Sequence, residues 1–214
     1  VFDPSKPGFN FLKRLNDTMA RISYVMRLGK PDVSCALYLP VEDILRGGET
    51  ARKAAASFDE KGRMLEERKI DFDIVDDEFI VGANIKDGKL RGGCAEYSWI
   101  KIPECKYIPK ETAEKLRTLN MEPPRPVVKC ESPDILARRR KLPSGDCIVF
   151  LVNSGQCEFS GRVEFFDSGQ CCEIDAPEGR IRQVEIQKDG KGSSLMLNLG
   201  PGQEKIFLFT ENHT

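Results

Sequence analysis

The chain has 214 residues, 40% of them hydrophobic and 31% charged, with 33 basic and 34 acidic side chains and a net charge of −1. That balance excludes collagen-like, low-complexity and wholly disordered chains. Divided at residue 122, it carries 21 basic and 21 acidic residues, then 12 and 13, so neither half has the basic excess of a nucleic-acid-binding protein.

No apolar run approaches the roughly 20 residues needed to cross a bilayer, so no membrane partner is expected. Val1–Asn10 is polar and proline-rich, unlike a signal peptide. A chain that opens on Val1, with its first methionine at Met19, reads as part of a longer polypeptide.

Residues 9–28 read as an amphipathic helix. Phe11, Leu12, Leu15, Met19, Ile22, Val25 and Met26 recur every three or four residues, and Gly29 and Pro31 end the run. Residues 33–40 are short, apolar and β-leaning, as a strand covered on both faces would be. Residues 41–50 read as a loop around Gly47-Gly48, and residues 51–68 as a long helix. Residues 70–75 alternate like a strand near a sheet edge, and a helical turn starts at Asp76-Asp77. A hairpin turns at Asp87-Gly88, a third strand covers 97–102, and a helix covers 110–119 behind Pro109. This alternation predicts a small parallel α/β sheet.

Three prolines between Met121 and Pro126 force an extended connector. Seven short strands follow, at 135–141, 147–153, 161–166, 170–174, 180–186, 195–199 and 205–210. Turn residues separate them, and this pattern predicts an antiparallel β-sandwich.

The chemistry of catalysis is thin. The single histidine, His213, lies second from the C-terminus, where no Ser-His-Asp or Cys-His arrangement is expected. The eight cysteines include no CxxC pair, so a zinc ribbon or thioredoxin site is not expected. They read as reduced, mostly buried thiols of a cytoplasmic protein. No P-loop or GxGxxG fingerprint occurs, and no cofactor is expected.

The most site-like feature is the acidic group Asp71, Asp73, Asp76, Asp77 and Glu78. Carboxylates at the C-terminal end of a parallel strand lie where α/β folds bind ligands, here a cation or a sugar hydroxyl. The structural reading, which the pattern favours, has Asp76 capping the next helical turn and Asp71 and Asp73 facing solvent. Arg138–Lys141 reads first as charge protecting an edge strand. In the β-rich half, which has no Trp or Tyr, Phe159 and Phe166 are the candidates for stacking on a sugar, while Trp99 reads as core.

Several segments resemble one family. Ala20–Lys30 followed by Val33–Pro40, Leu65–Asp77, and Lys86–Leu90 before Tyr97–Pro103 are similar to stretches of large bacterial glycoside hydrolases. These are the α-L-rhamnosidase-like enzymes and their β-galactosidase relatives. Gly145–Ser154 and Leu197–Gly202 resemble the β-sandwich that closes such chains.

The resemblance implies a flavodoxin-like or amidotransferase-like accessory domain that follows a catalytic (β/α)8 barrel. Such a barrel needs about 250 residues, so its catalytic carboxylates would lie upstream, and no catalytic residue is assigned here. The implied organisation is a linking helix at 1–30, a flavodoxin-like α/β domain at 31–122 and a β-sandwich at 123–214.

The expected function is the non-catalytic C-terminal portion of a glycoside hydrolase, which braces the barrel, shapes its cleft or builds an oligomer interface. Its expected partners are the upstream barrel, a carbohydrate ligand and a second copy of the chain. The stripe Leu12, Leu15, Met19 and Ile22 is then expected to be partly uncovered or self-associated. The alternatives are a stand-alone carbohydrate- or protein-binding module, and a metal-dependent enzyme using Asp71, Asp73 and Asp76.

Overall fold

A computed structural model describes residues 8–119, 122–190 and 192–210. The first elements are α1 (Phe9–Val25), β1 (Lys30–Pro31), β2 (Cys35–Tyr38), α2 (Val41–Arg46) and α3 (Gly48–Glu67). Next come β3 (Phe72–Val75), α4 (Asp77–Gly82), β4 (Asn84–Lys86), β5 (Lys89–Gly92), β6 (Ala95–Tyr97), β7 (Trp99–Lys101) and α5 (Lys110–Arg117). Then follow β8 (Val128–Lys129), β9 (Ile135–Lys141), β10 (Cys147–Asn153), β11 (Phe159–Phe165) and β12 (Gln170–Asp175). The last are β13 (Arg180–Val184), β14 (Gln187–Asp189), β15 (Gly192–Leu199) and β16 (Glu204–Thr210).

The chain divides into two compact units, one formed by Val33–Leu136 and the other by Val1–Asp32 with Ala137–Thr214. In the Val33–Leu136 unit, β2 lies between β3 and β7, and both pairings are parallel. All four β2 residues are buried. Cys35 and Leu37 meet Leu65 and Ile70 on one face, while Ala36 and Tyr38 meet Ile80, Leu90, Tyr97 and Leu116 on the other. A strand covered on both faces has no solvent side to alternate with, and this accounts for the unbroken apolar run. In chain order the sheet reads second, first, third, which is how the doubly wound order 2-1-3-4-5 begins.

In this unit the structure differs from the predicted elements at two places. The segment 41–50, expected to be a loop, holds α2 and the start of α3. Glu42 and Asp43 sit in the first turn of α2, where negative charge is favoured, and Gly47 at φ +71° separates the two helices. The expected strand at 97–102 is divided at Ser98. Tyr97 pairs with Leu90 in an antiparallel hairpin sheet, whereas Trp99 pairs with Cys35 in the parallel sheet. Asp87 and Gly88 both have positive φ, as a type I′ turn requires.

The other unit is built mainly from antiparallel strands. One sheet has the order β1-β9-β10-β16-β12-β13, and β14, β15 and β11 pair in a second. The sheets meet at aromatic rings: Phe165 of β11 lies 5.4 Å from Phe207 and 5.0 Å from Phe209 of β16, centroid to centroid. Ile148 and Ile206, on the opposite face of the first sheet, pack with Val25 of α1 and Ala176. So β10 is also covered on both faces, and Cys147–Val152 reads as one apolar run for the same reason as β2.

Gly29 follows α1 at φ +61°, and a Cβ there would collide with the Lys141 carbonyl. That close approach lets β1 pair with β9, so β9 is not the edge strand that its charge run suggests. Arg139 pairs with Asp32 and Asp167, and Arg140 donates to the Leu28 and Gly29 carbonyls. Two of the four basic residues are thus spent inside the unit.

Candidate functional site

A candidate site of the Val33–Leu136 unit lies at the C-terminal edge of the parallel sheet. There the chain leaves β2 toward one neighbour and returns in β7 as the other, and open α/β sheets bind ligands at such a crevice. A cleft of about 430 Å³ opens between the start of α3 (Glu49, Thr50, Lys53) and the segment after β7 (Glu104, Cys105, Lys106). Asp43 also lines it. Its carboxylate is buried and accepts the backbone N–H groups of Lys106 at 3.1 Å and Tyr107 at 3.0 Å. Ser57 Oγ accepts the Glu104 N–H at 2.9 Å, and the Arg46 guanidinium stacks 4.0 Å from the Tyr107 ring. The segment 104–107 is therefore tied to both α2 and α3.

Several of the cleft's ionisable groups are paired or protonated. Glu49 and Lys53 pair at 2.8 Å on an exposed helix face. The Cys105 thiol is pushed up to about 11 by burial and by the Asp43 and Asp77 carboxylates. It is therefore protonated near neutral pH and a weak nucleophile. Asp43 and Ser57 have no distinctive sequence signal, because their partners are backbone N–H groups 47 to 64 residues further along the chain.

The predicted acidic group does not converge. Asp71 precedes β3 and is buried, not solvent-facing as expected, and Asp76 follows β3, about 16 Å away along an extended chain. Asp73 Oδ2 accepts the Tyr97 hydroxyl at 2.8 Å. Asp76 caps α4 by accepting the Phe79 N–H at 2.9 Å. Asp77 Oδ1 accepts both the Tyr38 hydroxyl at 2.9 Å and the Thr112 hydroxyl at 2.8 Å. Among the described residues, no group of three His, Cys, Asp or Glu side chains could hold a metal ion.

The two phenylalanines also lie apart, near opposite ends of β11. Phe159 is half-buried, and its ring would lie 3.0 Å from a Cβ on Gly161. Phe166 is half-buried and borders a cavity of about 200 Å³ shared with Arg139 and Asp167. Arg139 is held there between Asp32 at 3.0 Å and Asp167 at 2.8 Å. His213 lies outside the described residues.

No family model matches the chain, and no curated protein matches it. Its structural neighbours are glycoside hydrolases. The chain is similar to a rhamnosidase from Novosphingobium sp. PP1Y, with a TM-score of 0.67 and 12% identity over 95% of this chain and 25% of that one. It thus spans about a quarter of that rhamnosidase's length. The catalytic domain of GH30 xylanase C from Talaromyces cellulolyticus gives a TM-score of 0.28 at 12% identity, over 40% of this chain and 21% of that one. A candidate α-galactosidase from Bacteroides fragilis gives 0.29 at 13%, over 52% and 25%. The last two scores are too low to indicate a common fold, and the likeness to the rhamnosidase, at 12% identity, is a likeness of fold.

Proposed function

We propose that this chain is the non-catalytic C-terminal portion of a glycoside hydrolase, with a shortened flavodoxin-like domain and a β-sandwich that brace an upstream barrel. The observation that carries this reading is the rhamnosidase likeness, which extends over 95% of the chain and takes up a quarter of that enzyme. Eight free thiols suit a reducing compartment, and the reading includes the cytoplasm. No helix among the described residues is long and apolar enough to cross a membrane.

The test is the mass of the native polypeptide, detected in source cells with an antibody against this chain. A product larger by about 250 residues or more supports the reading. A product near 24.1 kDa overturns it. The cleft beside Asp43 favours a second reading, a stand-alone binding module, for which calorimetric titration with rhamnose and plant oligosaccharides is the direct measurement.

A further inference from the structure

No further inference is drawn: the strongest candidate, the cavity of about 200 Å³ that Asp32, Arg139, Cys147 and Asp167 line at one end of the six-stranded sheet, carries nothing, because its carboxylates pair with Arg139, the two atoms left without hydrogen bonds among the described residues, Arg139 Nε and Asp167 Oδ2, are themselves buried from solvent, and nothing in the structure shows what would occupy it.

Discussion

Asp43 Oδ2 accepts the backbone N–H of Tyr107 at 3.0 Å, across 64 residues of sequence, from a side chain that is only 1% exposed. The same carboxylate takes the Lys106 N–H, so one acidic residue of α2 fixes the segment that forms the far wall of the cleft. Removing it leaves two donors without their charged acceptor. Asp43→Ala should cost about 2–4 kcal/mol, since bonds to charged groups contribute about 1.5–3 kcal/mol and a stranded buried donor costs a further fraction. Asp43→Asn keeps an acceptor and should cost about half as much. Urea unfolding measures both, and a loss below about 0.5 kcal/mol for the alanine variant would refute the clamp.

Asp76 offers a test between a helix cap and a ligand. Its carboxylate accepts the Phe79 N–H at the start of α4. Asp76→Ala should cost about 1 kcal/mol, while Asp76→Ser or Asp76→Asn should cost little, because all three native-like residues cap well. Thermal melts in buffer with and without added divalent cations give both answers at once. Stabilisation of the wild type by a cation, lost in the serine variant, would show a ligand role that the cap does not explain.

Three buried thiols make the fold sensitive to alkali. Burial, the largest cause in each, pushes Cys35 and Cys171 up to about 12 from an ordinary value of 9.0 and moves Cys147 in the same direction. For Cys35 the Asp71 carboxylate adds to the effect, and for Cys171 the neighbouring Cys172 does. Below about pH 9 both folded and unfolded chains hold these protons. Above it the unfolded chain ionises first, so stability is present below pH 9 and is lost as pH rises toward 12. Each thiol contributes a slope of about 1.4 kcal/mol per pH unit in that window. Denaturant melts across the window should fall less steeply for Cys35→Ala and for Cys171→Ala than for the wild type. Equal slopes would mean that these thiols ionise in the folded protein.

How much of this was legible in the sequence depended on how far each interaction reaches. The burial of β2 and β10 on both faces is written in their unbroken apolar runs, and the Asp87-Gly88 turn and the Asp76 cap use partners a few residues away. The division at Ser98 was not visible, because Tyr97 and Trp99 form one apolar segment until pairing with Leu90 and Cys35 sends them to different sheets. Nor could Lys30-Pro31 be read as a strand, since the reason for it is the distant Lys141 and Arg140. The same limit governed the sites. Asp73 reads as a solvent-facing carboxylate because its donor, Tyr97, lies 24 residues on, and Asp43 carries no local signal because the N–H groups it accepts are 63 and 64 residues away.

Asn153 shows how a single side chain can set two turns of the β-rich unit. Its Nδ2 donates to the carbonyls of Cys157 and Leu199, both at 2.8 Å, and its Oδ1 accepts the Gly155 N–H at 3.0 Å. The residue itself is 1% exposed, and its bond to the Leu199 carbonyl is buried from water. Asn153→Ala removes the side-chain donor from the buried Leu199 carbonyl and from the part-buried Cys157 carbonyl, and the acceptor from the part-buried Gly155 N–H, and should cost about 2–3 kcal/mol. Asn153→Asp is nearly isosteric, yet it turns the two-donor end into an acceptor facing two carbonyl oxygens. It should therefore be at least as damaging, and its penalty should shrink at acid pH, where the protonated carboxyl regains one donor. Melting curves at pH 7 and near pH 4, each referred to the wild type at the same pH, measure that difference. An aspartate variant as stable as the wild type at pH 7 would show that the turn accommodates the charge and that the donor pair does not hold it.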